Sequence, residues 1–266
     1  VAVLGKRTAI GKSAFWGGLV GLLPDLDVLI DHGYAVLNMI RHRAESHSLI
    51  FLTLLAFPMA WAISRLHKEE HLRLRWILAI WLSLVTHSLL DLMTIYGTQA
   101  LLPFTDEAWG LGSVFIIDPA YMFPLYGGLL LAFFCREKRV DRGMNLNRLG
   151  LLVSTVYLAW SVLAQMWVLQ HARMSLSAQG LPTHSLLATP SPFNTVLWRV
   201  VALDGELFFE GFYSFFDGKR HVRFKHHLRH EDLISTNAEN PQVKRMMRLT
   251  GGFLKMHQEG TNLWIT

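Results

Sequence analysis

The chain has 266 residues, of which 52% are hydrophobic and only 17% are charged, and its formal net charge is +5. Since soluble globular proteins carry about 25% charged residues, this composition argues against a soluble domain and favours a membrane protein. The basic residues form short clusters between apolar runs, which is typical of topology signals and argues against a nucleic-acid surface. The single cysteine, Cys135, excludes an internal disulfide and a cysteine metal cluster.

Five apolar runs follow one another along the first part of the chain, and each is a candidate transmembrane helix. The first run is rich in glycine, which permits close helix packing in lipid, and Pro24 breaks or kinks it near its end. The first two runs are shorter than the about 20 apolar residues that a bilayer core requires, so we expect them to be tilted or partly re-entrant. The five runs cover residues 13–30, 48–63, 76–96, 114–134 and 149–169.

Basic residues concentrate in alternate connections between these runs and so predict an orientation. The clusters within residues 6–12, 65–75 and 136–148 all lie on one side, which the positive-inside rule makes cytoplasmic. Arg41 and Arg43 are the exceptions, on the other side. We therefore predict a cytoplasmic N-terminus and a C-terminal domain on the outer side of the membrane.

Beyond residue 170 the composition changes to that of an extramembrane domain. Residues 171–192 are polar and rich in proline, which predicts a linker. Alternating apolar residues on both sides of Asp204-Gly205 predict a β-hairpin, Pro241 predicts the start of a short helix, and Glu259-Gly260 predicts a second hairpin. The predicted fold is thus mainly α: a polytopic membrane helix bundle over 1–170, with about five transmembrane helices, and a small C-terminal α+β domain over 193–266.

Ionisable residues interrupt the apolar runs in an unusual way. His87 and Asp91 lie four residues apart inside the third run, so they share one face of a helix. A carboxylate at that depth costs several kcal/mol unless a partner compensates it, and a metal ion is the partner that suits a His and an Asp together. Asp25 and Asp27 follow Pro24, and they converge only if the first helix ends or unwinds there.

The predicted topology brings all such residues to the same depth at the outer face. This agreement is the main internal argument for one site, because the topology was inferred from the basic clusters alone. The predicted metal ligands are Asp25, Asp27, His42, His47, His87, Asp91 and Asp118.

The chemistry of this set suits one or two divalent ions, with zinc favoured and manganese possible as the second choice. Arg43 is a candidate to hold a phosphate or carboxylate group of a substrate. Glu45 is either a general base or a solvated acid of a loop. Asp118 precedes a proline and is either a helix N-cap or a member of the site. The alternative for the whole set is a polar network that joins helices without a metal.

Three motifs carry a resemblance to a known family: PDLD at 24–27, HR-x3-HS at 42–48 and H-S-L-L-D-x-x-T-x-Y-G at 87–97. As a set they resemble the bacterial inner-membrane family described as membrane-bound metal-dependent hydrolases, over residues 4–127, and residues 190–201 are similar to the tail of its longer members. The order of Asp, His, His and HxxxD is also similar to zinc-dependent phospholipase C and the fungal single-strand nucleases, which are multi-zinc phosphoesterases.

The resemblance implies a location in the inner membrane, with the C-terminal domain in the periplasm. It also implies metal ligation by Asp25 and/or Asp27, His42, His47, His87 and Asp91. A Thr-His pair usually precedes the first helix in the family, and this sequence starts after that point, so we expect one ligand of the family's set to be missing from it. Ala44 and Ser46 stand where Gly and Thr are usual.

These observations predict a membrane-bound metal-dependent hydrolase that acts on a phosphoester, with a lipid ester as one candidate. The expected partners are membrane lipid and such a substrate, and no nucleic acid. The first alternative is a non-enzymatic metal-binding transporter or sensor, which the apolar residues 76–84 disfavour because a transport pathway needs polar residues through the full bilayer depth. The second alternative is an interaction module that docks a partner through exposed aromatic residues of the C-terminal domain.

Overall fold

The structure is a computed structural model that describes residues 1–135, 140–218, 221–260 and 262–265. The chain is mostly helical and ends in a small domain with a β-sheet, as the sequence predicts. The helices are α1 (Ile10–Leu22), α2 (Ala35–Arg41), α3 (Leu49–Leu66), α4 (Arg73–Met93), α5 (Pro119–Phe134), α6 (Val140–Ala178), α7 (Glu231–Thr236) and α8 (Pro241–Leu249). The strands are β1 (Ser185–Pro190), β2 (Leu197–Asp204), β3 (Leu207–Ser214), β4 (Phe224–Leu228), β5 (Met256–Glu259) and β6 (Asn262–Ile265).

The chain forms two compact units. Unit 1 comprises Val1–Leu92, Thr98–Trp109 and Pro119–Leu158. Unit 2 comprises Met93–Gly97, Gly110–Asp118 and Ala159–Thr266. The long helix α6 therefore contributes its first half to unit 1 and its second half to unit 2.

Three helices of the described residues are long and apolar enough to cross a bilayer: Leu49–Leu66, Glu70–Met93 and Val140–Ala178. The apolar helix α5 has 16 residues and α1 has 13, fewer than the about 20 that a full crossing requires. Pro24 ends α1 early, since it starts a 3-10 segment at Pro24–Leu29. Three candidate spans are thus supported by length and composition, and the count of about five stays a prediction.

The core of unit 1 is formed by the facing stripes of α1, α3 and α4. Small residues of α3, Ala56 and Ala60, let the helices approach, and Trp76 and Ile80 of α4 fill the space with the help of Val20 from α1. Many other apolar side chains of these helices are exposed. An apolar surface of this extent is the expected outer face of a helix in lipid.

A partly buried carboxylate fixes α1 to the connection between α3 and α4. Glu69 Oε1 accepts hydrogen bonds from Thr8 Oγ1 at 2.8 Å and from Lys12 Nζ at 2.6 Å. Its other oxygen accepts from Trp76 Nε1 at 2.9 Å. This clamp sets the axial position of α1, and hence the position of the aspartates that follow it.

Close helix packing occurs at different glycines from those that the sequence suggested. A Cβ added to Gly17, Gly18 or Gly21 of α1 would meet no atom within 4 Å. A Cβ on Gly150 of α6 would instead lie 2.2 Å from the carbonyl oxygen of Pro124 in α5. Glycine is needed where two helix backbones touch, and the sequence does not reveal which of its glycines those are.

Unit 2 contains an antiparallel sheet in the order β1-β2-β3-β4, with the predicted turn at Asp204-Gly205 between β2 and β3. Its buried face packs against a stripe of α6 formed by Ala164, Val168, Ala172 and Leu176. Their spacing of four residues keeps them on one side of the helix.

The segment 171–192, predicted as a linker, holds the last turns of α6 and the strand β1. The helix continues because its buried stripe extends beyond residue 170, and β1 has a partner in β2. The predicted short helix and final hairpin correspond to α8 and to β5–β6, which share a small apolar core.

We expect Gly150→Ala to destabilise the protein in detergent by about 1–3 kcal/mol, the usual cost of overpacking a tight contact. Gly17→Ala is the matched control, since it adds the same methyl group to a helical glycine in open space. Thermal unfolding of the two variants checks this. Equal melting temperatures would show that α5 and α6 do not touch at Gly150.

Candidate metal centre

Four ionisable side chains of unit 1 converge on one point. One donor atom each from Asp25, His47, His87 and Asp91 lie within 4.8 Å of one another. His47 Nε2 lies 3.1 Å from Asp91 Oδ2 and 3.4 Å from Asp25 Oδ1. His87 Nε2 lies 3.4 Å from each of the same two oxygens and 3.3 Å from His47 Nε2.

Each donor comes from a place where the chain is locally constrained. His87 and Asp91 lie one turn apart on α4, so the helix itself sets their separation. Asp25 is carried by the 3-10 segment that begins at Pro24, and His47 ends a second short 3-10 segment before α3. The unwinding at Pro24 is what turns Asp25 towards the histidines.

The distances fit a four-coordinate zinc ion. Donors held about 2.0–2.1 Å from a tetrahedral zinc are separated from one another by about 3.3–3.4 Å. Five of the six donor–donor separations run from 3.1 to 3.4 Å, and all four donor atoms lie within 4.8 Å of one another. Two imidazoles and two carboxylates are also ligand types that zinc accepts. The residues present therefore fit such an ion.

Asp27 organises the loop that carries His47. Its Oδ1 lies 2.7 Å from His42 Nδ1, and its Oδ2 accepts hydrogen bonds from the backbone N–H of Arg43 at 3.1 Å and from the hydroxyl of Ser46. Both carboxylate oxygens are thus engaged within the loop. Asp27 and His42, predicted as ligands, form a pair with each other beside the four-donor cluster.

Ser46 selects the tautomer of His47. Because the Ser46 hydroxyl donates its hydrogen to Asp27, its oxygen accepts from His47 Nδ1–H, 2.9 Å away. When the ring of His47 is neutral, its lone pair is then on Nε2, which is the atom that faces Asp25, His87 and Asp91. A partner on the second ring nitrogen is the usual way in which a metal-binding histidine is oriented.

Arg43 lies beneath the cluster, with only 5% of its surface exposed. Its Nη2 is 3.1 Å from Asp91 Oδ1, which leaves Asp91 Oδ2 to face the histidines. Its backbone has φ of 66°, a left-handed conformation that costs a non-glycine residue about 1–3 kcal/mol. This burial and pairing suit a residue that positions the metal ligand Asp91. The sequence-based hypothesis was that Arg43 binds a phosphate or carboxylate group of the substrate.

The loop that contains Gln99 and Ala100 holds the segment around Arg43 in place. The sequence did not predict this loop as part of the site. The backbone N–H of Gln99 donates to the carbonyl of Arg43 at 3.0 Å, and the carbonyl of Ala100 accepts from Leu49 N at 2.9 Å. Ser88 of α4 donates to the carbonyl of His47 at 2.6 Å. The sequence offers no signal for these bonds, since most of them use backbone atoms.

The surroundings of Asp25 and Asp27 favour the ionised form of each carboxylate. Hydrogen bonds from His47 and His87 hold the pKa of Asp25 well below its usual range. Burial opposes ionisation of Asp27, but the hydrogen bonds from Ser46, His42 and the backbone of Arg43 outweigh this effect. They lower the pKa of Asp27. For His47, burial is outweighed by Asp25 and Asp91, which raise its pKa. A bound metal therefore competes with a proton on His47.

Two predicted site residues lie elsewhere in the structure. Glu45 is exposed, and its carboxylate pairs with Arg41 at 2.7 Å. Asp118 is buried and belongs to unit 2, directly before Pro119 at the start of α5. Of the seven predicted ligands, four thus form the cluster.

The fold and the cluster define a helical membrane protein with a His/Asp site at its helix ends. The chain belongs to the YdjM inner membrane protein family, whose family model matches residues 1–168. The match includes all four residues of the cluster. Comparisons with curated proteins and with solved structures gave no match. Membership establishes a bacterial inner-membrane protein.

We expect Arg43→Lys to weaken metal binding about 10- to 100-fold, the usual effect of losing a residue that orients a ligand. Lysine keeps the charge but cannot reproduce the planar guanidinium. Arg41→Lys, two residues away on an exposed side chain, is the control and should bind metal normally. Titration with zinc against a competing chelator measures both. Unchanged affinity in Arg43→Lys would return Arg43 to the substrate-binding role.

Proposed function

We propose that this chain is a membrane-bound metal-dependent hydrolase that acts on a phosphoester, with a lipid as the favoured substrate. The observation that carries the proposal is the cluster of Asp25, His47, His87 and Asp91, whose donor atoms are spaced as ligands of one zinc ion. A structural zinc site is closed on all sides, whereas a catalytic one keeps a face open to water or substrate. The exposure of the four side chains supports a catalytic site.

Asp25 marks the open face. Its side chain is 47% exposed, whereas His47 is fully buried and Asp91 is nearly so. When bound, a zinc ion would polarise a phosphoryl oxygen and lower the pKa of a water molecule. His47, His87 and Asp91 would hold it from the protein side, with Ser46 and Arg43 fixing their orientations. A substrate would approach past Asp25.

A single ion is favoured over two. Both oxygens of Asp27 are engaged by His42, Ser46 and the backbone of Arg43. Among the described residues, one group of three or more His, Cys, Asp and Glu has donor atoms close enough to share an ion. Zinc is favoured over manganese because manganese prefers more oxygen ligands than this mixed set offers.

The surroundings of Asp25 support a lipid substrate. The segment from Leu22 to Ile30 exposes several large apolar side chains next to the carboxylate: Leu22, Leu26, Val28, Leu29 and Ile30. His47 directly precedes the apolar helix α3, and His87 and Asp91 lie near the end of α4. Such a site is at headgroup level, where a phosphoester of a lipid is presented while its acyl chains contact apolar residues.

We expect the purified protein to contain about one zinc ion per chain, and His87→Ala with Asp91→Ala to abolish this content, because two of four ligands are lost. The matched control changes one exposed His and one exposed Asp, His71→Ala with Asp106→Ala. Elemental analysis of the two double variants measures the difference. Equal metal content in both would contradict the assignment of the site.

An activity assay distinguishes the proposed hydrolase from a metal-binding transporter or sensor. Protein in lipid bilayers is offered phospholipids and nucleotide esters as alternative phosphoesters, and His47→Ala should abolish turnover because it removes a ligand. Cleavage of a phospholipid that is lost in His47→Ala is the expected result. If zinc binds but no ester is cleaved, the non-enzymatic metal-binding protein becomes the better account.

We also propose that α1 and α5 lie in the bilayer with the three longer helices, with the N-terminus in the cytoplasm and unit 2 in the periplasm. The basic clusters in alternate connections support this orientation. A reporter that works only outside the cytoplasm should be active when fused after Thr266, and inactive when fused at Lys68. The reverse pattern would invert the topology and place the candidate site on the cytoplasmic side.

A further inference from the structure

One end of the four-stranded sheet in unit 2 carries exposed apolar side chains. Leu197 pairs with Ser214 at this end, and the N–H of Phe215 donates to the carbonyl of Val196 at 3.2 Å. The start of β2 and the end of β3 are therefore neighbours here. We call this surface the apolar tip, and it consists of Phe193, Val196, Leu197, Phe212 and Phe216.

The apolar tip lies beside Trp160 of α6. Trp160 Nε1 donates to Thr195 Oγ1 at 3.2 Å, and its ring centroid lies 5.7 Å from that of Phe215. Trp160 lies within the candidate membrane span Val140–Ala178. The tip is thus held next to a part of the helix whose sequence is suited to lipid.

The sheet and the helix become more polar in the same direction. From Trp160 towards its end, α6 passes from apolar residues to His171 and Arg173, while the far end of the sheet carries Asp204 and Glu206. Before these polar residues, α6 exposes the apolar side chains of Leu163, Met166 and Trp167. Two elements with separate sequences thus share one polarity gradient, as expected for a domain that contacts a bilayer with one end.

Several backbone groups of the apolar tip have hydrogen-bond partners within the protein. Asn194 Oδ1 accepts hydrogen bonds from the N–H groups of Val196 at 2.9 Å and Leu197 at 2.8 Å. The N–H of Ser191 donates to the carbonyl of Leu197 at 2.7 Å, and Pro192 has no N–H. These internal partners make the tip compatible with a lipid environment, in which every backbone polar group needs one.

We propose that the apolar tip inserts into the interfacial region of the bilayer, with lipid as its partner. The sheet beyond its tip stays outside the hydrocarbon, since an open sheet edge is not tolerated there. The aromatic rings of Phe193, Phe212 and Phe216 lie among the headgroups and upper acyl chains, at the level of Trp160, because aromatic side chains are suited to that interface. Unit 2 is thereby fixed against the membrane by a contact beyond the helix α6.

Spin-label accessibility tests this placement. Cys135 is replaced by serine, and single cysteines are introduced at Phe216, which is 89% exposed, and at Asp204 on the far end of β2. Asp204 lies seven residues along β2 from Leu197 at the tip, a distance of about 23 Å at a rise of about 3.3 Å per residue. Both proteins are reconstituted in phospholipid vesicles, and collision with oxygen and with a water-soluble nickel complex is measured. Phe212→Cys provides a second position in the tip.

In the proposed arrangement, the labels at 216 and 212 collide more often with oxygen than with the nickel complex, and the label at 204 shows the reverse. Equal access of the nickel complex to 216 and 204 would overturn the proposal. Low access of both reagents to 216 and 212 would also overturn it, because the tip would then be covered by protein. Matching melting temperatures of the three labelled proteins confirm that the labels report on the folded state.

Discussion

Two carboxylates and two imidazoles share one small site at the ends of apolar helices, and this electrostatic constraint governs the rest of the structure. Asp25 and Asp91 both lie within 3.4 Å of His47, and like charges so close together need a compensating positive charge. Arg43 supplies one beside Asp91. A divalent cation would supply the remainder and would use the donor atoms already directed at one point.

The scaffold around the site consists of short, strained or unwound pieces held by rigid ones. Pro24 stops α1 so that Asp25 can turn inward, and Asp27 holds the loop in which Arg43 adopts its left-handed conformation. The fixed elements are α3 and α4, whose buried stripes meet through Ala60 and Trp76. Local strain next to a well-packed core is typical of functional sites, and here it is concentrated in the residues that orient His47 and Asp91.

The sequence predicted much of this arrangement and missed the rest for physical reasons. Apolar runs, basic clusters and turn residues identified the helical membrane region and the C-terminal sheet, since these features depend on local composition. The i, i+4 spacing predicted that His87 and Asp91 share a face. The length of α6 was missed because its extension depends on packing against the sheet. The separation of Asp27 and His42 from the four donors was missed because it depends on hydrogen bonds to Ser46 and to the backbone, which residue types alone do not reveal.

The central claim is that Asp25, His47, His87 and Asp91 together bind one zinc ion as its four protein ligands. X-ray absorption at the zinc edge of the purified protein tests it most directly. The account predicts about four nitrogen and oxygen neighbours at about 2.0–2.1 Å, with the outer-shell scattering of two imidazole rings. A spectrum with no imidazole scattering, or one that fits six oxygen neighbours, would show that the ion is held elsewhere and would contradict the account.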